Sequence, residues 1–121
     1  MMFVRPTWMV MLLTSFGAMV ALGAIPGSAS ALSSSVGDKT LHLLAYGFMT
    51  FFCFRSIKAS RRGQSLISLL IMSLLGLLDE GLQSFLPYRN ASLLDWCFDI
   101  AAAVMVILLL HLYEPASTRT N

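Results

Sequence analysis

Four carboxylates lie within or directly beside apolar stretches of the sequence, where charged side chains are rare. Asp79 and Glu80 are adjacent and follow a mainly apolar run over residues 65–78, while Asp95 and Asp99 lie four residues apart in the next apolar run. A carboxylate exposed to lipid costs about 2.5 to 3.5 kcal/mol on insertion scales, so such residues usually face a bundle interior and carry function. Carboxylates in this position could exchange protons, or could orient basic residues that bind an anion.

Other polar residues follow the same pattern and form three stripes at helical spacing. Residues three or four positions apart share one face of a helix. The stripes are Asp38, Lys39, His42 and Tyr46, then Asp79, Glu80 and Gln83, then Ser92, Asp95 and Asp99, with Arg89 in the turn between the last two. Because unpaired polar groups are costly in hydrocarbon, we expect the three stripes to face one another in a single cluster.

The elements that carry these stripes are four apolar segments. Of the 121 residues, 57% are hydrophobic and 12% are charged, about half the charged share of a soluble domain. A membrane span needs about 20 residues. We therefore predict one all-α membrane domain over residues 1–121, an integral bundle of four transmembrane helices spanning about 8–25, 39–57, 65–85 and 93–112. The lipid bilayer is the predicted partner, and the few, clustered basic residues argue against nucleic acid.

The basic residues predict the orientation of the bundle. Arg55, Lys58, Arg61 and Arg62 lie between the second and third spans, and short loops rich in Lys and Arg stay cytoplasmic. With both termini cytoplasmic, six of the eight basic residues are inside, and Lys39 and Arg89 are outside. The chain is thus predicted to be a multi-pass protein of the cell membrane, with its polar cluster on the extracytoplasmic side.

The first apolar segment has two interpretations. A signal peptide with a cleavage site near Ala29-Ser30-Ala31 is one, and a retained helix is the other. The segment is longer than the 7–15 apolar residues usual in a signal peptide, which favours the retained helix. The sequence leaves cleavage open, and it also leaves the oligomeric state open.

Other chemistry has weaker support in the sequence. One histidine, His42, with carboxylates is not a recognised metal-ligand spacing, so no metal and no cofactor are predicted. The two cysteines, Cys53 and Cys97, lie near opposite membrane faces and are too far apart for a disulfide. The sequence has no nucleophile elbow, phosphate-binding loop or zinc signature.

Three motifs together resemble a known family. They are Asp38-Lys39-x-x-His42-x-x-x-Tyr46, then Asp79-Glu80-x-x-Gln83-x-Phe85-x-Pro87-x-Arg89, then Ser92-x-x-Asp95-x-x-x-Asp99. In this order they resemble the VanZ-like family of small bacterial membrane proteins, whose named member is associated with resistance to the glycopeptide teicoplanin. The resemblance covers about residues 37–110. It departs from the family at Asp99, where Asn is usual, and in the alanines that follow in place of glycine.

The resemblance and the polar stripes together imply a function in the cell envelope. We expect an outer-leaflet pocket that binds or handles an anionic lipid or glycan head group, with a possible link to glycopeptide resistance. Arg89 and Lys39 would bind a phosphate. Asp79, Glu80 and Asp99 would organise these cations or exchange protons, and Gln83, Tyr46 and His42 would orient the ligand. Asp38, Ser92 and Asp95 complete the predicted binding set.

Two alternatives from other classes remain open at this point. One is a membrane-embedded enzyme that acts on a lipid-linked or glycan substrate, with Glu80 or Asp95 as general acid/base and His42 assisting. The other is a structural membrane scaffold, in which the polar cluster only holds the helices together.

Overall fold

The computed structural model describes residues 3–24, 38–87 and 92–114. Within these ranges the chain forms four helices, α1 (Pro6–Ala24), α2 (Asp38–Ser56), α3 (Arg61–Gln83) and α4 (Leu93–Tyr113). A two-stranded ribbon of β1 (Phe3–Val4) and β2 (Ile57–Lys58) accompanies them. The prediction of an all-helical architecture is thereby confirmed. The predicted loop over 26–36, the tip of the turn at 88–91 and the tail from 115 onward lie outside the described residues.

Three of the helices are long and apolar enough to cross a membrane. These are Pro6–Gly23 of α1, together with α3 and α4 over their whole lengths. The apolar part of α2 is shorter, Leu43–Ser56, because its first turn carries Asp38, Lys39 and His42. The chain is therefore a membrane protein by the character of its helices, while the crossing of α2 and the sidedness of the termini stay predictions.

The distribution of polar and apolar side chains is the inverse of that in a soluble protein. Large apolar side chains such as Phe48, Leu70 and Leu108 are exposed, while Gln64 and Ser68 are buried. On α3 the buried residues recur every three or four positions, Gln64, Ser68, Met72, Gly76, Asp79, Glu80 and Gln83. A soluble helix buries its apolar face instead. An apolar outer surface, with the polar side chains of the spans turned inward, is what a bilayer requires of a spanning bundle.

Helix α2 is the centre of the bundle, because it makes the most extensive contacts with the other helices. One buried cluster joins the four helices through Leu12 of α1, Met49 and Cys53 of α2, Met72 of α3, and the adjacent alanines of α4. Those alanines, Ala102 and Ala103, are fully buried. Their small side chains allow close helix packing, which in a membrane supplies much of the association energy.

The ends of α3 differ from the predicted span over 65–85. The helix begins at Arg61 because Ser60 caps it, its hydroxyl accepting a hydrogen bond from the Gly63 N–H. The helix ends at Gln83, and tight hydrogen bonds from Phe85 N to Leu82 O and from Leu86 N to Gln83 O follow it. The α3 helix therefore ends before Pro87, in a hydrogen-bonded turn.

The β ribbon was not anticipated in the sequence. Val4 pairs with Ile57 and Phe3 with Lys58 in antiparallel register, and the Arg5 N–H donates to the Ser56 carbonyl at 2.7 Å. Two residues per strand are too few for an alternating pattern to be recognisable. The ribbon ties the start of the chain to the α2–α3 connection and so places α1 beside α2.

Candidate functional site: a buried carboxylate cluster

Three helices bring polar side chains together at the end of the bundle opposite the β ribbon. Each of these side chains is at most 7% exposed. We call this group the carboxylate cluster, and its members are Tyr46 of α2, Asp79, Glu80 and Gln83 of α3, and Asp95 and Asp99 of α4. Ser92, also predicted for the site, caps α4 beside it. The second and third predicted stripes meet at the Glu80–Ser92 hydrogen bond. Of the first stripe, Tyr46 is the member whose side chain is described, and it bonds to Asp79.

Asp79 joins α2 to α3. Its Oδ2 accepts a hydrogen bond from the Tyr46 hydroxyl at 3.2 Å and a second from Gln83 Nε2 at 3.1 Å. Gln83 lies one turn further along α3 and therefore reaches Asp79 on the same helix face. Two donors on one carboxylate oxygen fix the orientation of the Asp79 side chain, since a carboxylate offers acceptor sites only.

Glu80 joins α3 to the start of α4. Its Oε2 accepts the backbone N–H of Ser92 at 2.8 Å, and Ser92 in turn caps α4 by accepting the Leu94 N–H on its hydroxyl. In a capping box, the acceptor for the N-cap N–H comes from the third residue of the same helix. Here the neighbouring helix supplies it. Asp95, in the first turn of α4, adds a favourable negative charge at that helix terminus.

Asp99 lies against α3 at a position where only glycine fits. A Cβ added to Gly76 would lie 2.9 Å from Trp96 Cδ1 and 3.2 Å from Asp99 Oδ2. The Trp96 indole N–H also donates to the Ser73 carbonyl at 3.0 Å. Gly76 therefore allows α4 to approach α3 closely enough to bring Asp99 into the cluster. Gly76 was not predicted from the sequence to be part of the site, although a glycine inside an apolar helix is a recognised sign of close packing.

The surrounding helices shield the cluster from solvent, since each of its side chains is at most 7% exposed. The Tyr46 hydroxyl is within electrostatic range of Asp99 and Glu80 as well as Asp79. Interactions between these groups are strengthened by the low local dielectric, which also makes an unsatisfied member costly.

The basic residues predicted for the site are described only in part. The backbone of Asp38, Lys39 and His42 lies in the first turns of α2, at the same end of the bundle as the cluster. Their side chains lie outside the described residues, as does the whole of Arg89. Across the ranges 3–24, 38–87 and 92–114, no group of three or more His, Cys, Asp or Glu residues is arranged to hold a metal ion.

The fold and the site define a class, a small helical membrane protein with buried carboxylates at one end. Comparison with known families then identifies the chain. The family described as VanZ/LLP1 matches residues 2–114, nearly the whole sequence. The chain belongs to the VanZ-like family, so the resemblance drawn from the three motifs is confirmed.

One curated relative has a sequence similar to this chain. It is an uncharacterized protein of Schizosaccharomyces pombe, 29% identical over 103 residues, which are 84% of this chain and 64% of the relative. The chain thus spans just under two thirds of that protein's length. No solved structure matches this chain.

Proposed function

We propose that the carboxylate cluster forms the base of a membrane-embedded pocket that binds the head group of an anionic envelope lipid or glycan. The observation that carries the proposal is the burial of four carboxylates on two helices, one of which, Asp79, accepts a hydrogen bond from Tyr46 on a third helix. Buried ionisable residues within membrane spans usually mark substrate or ion pathways. A purely structural role, in which polar groups only hold helices together, would not require so many charges of one sign.

The proposal divides the residues into two roles. Lys39, at the start of α2, and Arg89, between α3 and α4, would contact the negative head group, since charge-assisted hydrogen bonds to phosphate are strong. The carboxylates would hold these cations in place. Asp79 suits the role of holding a cation, because Tyr46 and Gln83 both donate to its Oδ2 and so fix the orientation of its carboxylate. In the predicted orientation the pocket opens to the extracytoplasmic side.

The structure gives less support to an enzyme with Glu80 as general acid/base. The Glu80 carboxylate accepts the Ser92 N–H at the start of α4, a contact that suits a positioning residue. Asp95 also has a structural reason to be present, because it lies in the first turn of that helix. We therefore favour binding over catalysis for this pocket.

Native mass spectrometry of the protein extracted from its host membrane tests the proposal. We expect an envelope lipid or glycan to co-purify with the wild-type protein, and to be lost from Arg89→Ala and from Asp79→Leu. Glu114→Gln, which removes a carboxylate at the opposite end, is the matched control and should retain the ligand. Retention by all three variants would contradict the proposal, as would a folded wild-type protein that carries no ligand.

Two further measurements separate the related possibilities. Turnover of candidate envelope lipids by the purified protein would show an enzyme instead of a binding protein. Loss of teicoplanin tolerance in cells that express Arg89→Ala, but not in cells that express Glu114→Gln, would link the pocket to the resistance associated with the family. Unchanged tolerance in both strains would remove that link.

A further inference from the structure

The end of the bundle opposite the carboxylate cluster is strongly basic. We call it the basic end, and it is formed by Arg5, Arg55, Lys58, Arg61 and Arg62. Five of the six acidic residues of the chain lie at the cluster end, in the first turn of α2, in α3 or near the start of α4, so Glu114 alone balances these five cations. The basic end therefore carries a local charge of about +4 at neutral pH.

The side chains of three of these cations make hydrogen bonds or ion pairs with other residues of the protein. Arg5 NH1 donates to the Arg55 carbonyl at 3.0 Å, and Arg61 NH2 donates to the Leu110 carbonyl at 2.9 Å. Arg55 forms an ion pair with Glu114. Two guanidinium donors remain unsatisfied by these contacts. Arg55 Nε and Arg61 NH1 are buried without a hydrogen-bond acceptor among the described residues. The positive charge is thus fixed in place and only partly compensated.

The two other cations point out of the bundle. Lys58 ends β2, Arg62 is the second residue of α3, and both are exposed. Ser60 lies between them and caps α3, so the positive end of the helix dipole adds to their charge. The ribbon pairing of Lys58 with Phe3 and the Ser60 cap hold the two positions on either side of one turn.

The basic end lies at the level of lipid phosphates. The apolar windows of α1, α3 and α4 all reach it, beginning at Pro6 and Arg61 and ending at Tyr113. Trp8 packs edge-on against Phe51, and the Arg55 guanidinium lies 5.9 Å from the Trp8 ring centroid. Trp and Tyr mark the interface between hydrocarbon and head groups, so the exposed cations at this end face head groups instead of acyl chains.

We propose that the basic end binds the phosphate of an anionic phospholipid, with Lys58 and Arg62 in contact with the phosphate and Arg55 and Arg61 supplying fixed positive potential behind them. The net charge decides the class of lipid. A zwitterionic lipid carries its own cation and would gain little from four uncompensated positive charges, whereas an anionic lipid lacks that cation. This site is separate from the proposed pocket and requires none of the carboxylate cluster.

Native mass spectrometry in detergent with added lipid tests this site. The probes are a phosphatidylglycerol and a phosphatidylcholine with the same acyl chains, added in equal amounts. We expect the wild-type protein to retain phosphatidylglycerol preferentially, and Lys58→Gln/Arg62→Gln to reduce that preference by about fivefold for each cation removed, as expected for ~1 kcal/mol per basic residue near a membrane surface. Equal retention of both lipids by the wild type would overturn the proposal.

Matched variants test whether the lipid preference depends on the positive charges of Lys58 and Arg62. Lys58→Arg/Arg62→Lys keeps both charges and should keep the preference. A preference that survives undiminished in Lys58→Gln/Arg62→Gln would overturn the assignment to the basic end. The single variants Lys58→Gln and Arg62→Gln replace the double variant if it melts earlier than wild type.

A second arm distinguishes a lipid from a free anion. Millimolar inorganic phosphate, added to the wild-type protein with bound phosphatidylglycerol, should not displace the lipid if the acyl chains and the head group are bound together. Displacement by phosphate alone would show a soluble-anion site and would overturn the lipid proposal.

Discussion

The two ends of this bundle hold their charges in opposite ways. At the carboxylate cluster, the charged groups are at most 7% exposed and bond to a hydroxyl, an amide side chain and a helix N-terminal N–H. At the basic end, the side chains of the Arg55–Glu114 ion pair are 31% and 25% exposed, and Arg5 and Arg61 donate to backbone carbonyls. The acidic end is buried, and the basic end is partly exposed.

This difference determines how each end should respond to mutation. Removing one partner from a buried hydrogen bond leaves the other unsatisfied, which costs more than the bond itself contributes. At a half-exposed site, water or lipid phosphate replaces the lost partner, so the cost is small. The comparison therefore predicts large stability effects at the cluster and small ones at the basic end. Three substitutions and one double-mutant cycle test this, in order of decreasing expected effect.

Gly76→Val should have the largest effect. Even a Cβ at this position would lie 2.9 Å from Trp96 and 3.2 Å from Asp99, so a larger side chain separates α3 from α4. We expect a loss of about 3 kcal/mol, the upper end of the range for overpacking, in reversible unfolding by sodium dodecyl sulfate in mixed micelles. Gly81→Val is the matched control on the same helix, because nothing lies within 4 Å of a Cβ there. Equal losses in both variants would refute the close approach at Gly76.

Glu80→Ala should follow. It removes the acceptor of the Ser92 N–H, a charge-assisted bond at a helix cap, and should lower the free energy of unfolding by about 2 kcal/mol. Glu80→Gln retains an acceptor oxygen and should lose less than half as much. If the amide variant is as unstable as the alanine variant, the role of Glu80 depends on its charge and not on the cap.

Tyr46→Phe should lower the free energy of unfolding by about 1 kcal/mol, because it removes one hydrogen bond to Asp79 without changing the packing. Tyr113→Phe is the matched control, since Tyr113 is 81% exposed. A double-mutant cycle with Asp79→Ala, which removes the acceptor, measures the coupling directly. Independent effects of the two substitutions would show that the Tyr46–Asp79 bond contributes nothing to stability.

The Arg55–Glu114 ion pair should have the smallest effect. A double-mutant cycle with Arg55→Gln and Glu114→Gln should give a coupling below about 1 kcal/mol, because both side chains are partly exposed. The coupling should fall further at high salt, where the charges are screened. A coupling as large as the loss at Glu80 would erase the contrast between the two ends.

The sequence predicted the helical architecture and the family, for identifiable reasons. Apolar runs between residues 8 and 112 could form only helices in a bilayer, since lipid satisfies no backbone hydrogen bonds. The spacing of Asp79, Glu80 and Gln83 placed them on neighbouring faces of one helix. The roles of Lys39, His42 and Arg89 stay predictions. The ribbon of Phe3–Val4 with Ile57–Lys58 gave no signal, because two-residue strands have no period.

The sequence by itself determined which residues must avoid lipid, because a carboxylate in hydrocarbon is penalised wherever its helix packs. Only the tertiary structure decided how they do so. The choice of Tyr46 as a partner for Asp79, the use of Glu80 to cap a neighbouring helix, and the space that Gly76 leaves for Asp99 depend on the distance and rotation between helices. Periodicity defines the faces of a single helix, but packing between helices selects which atoms meet.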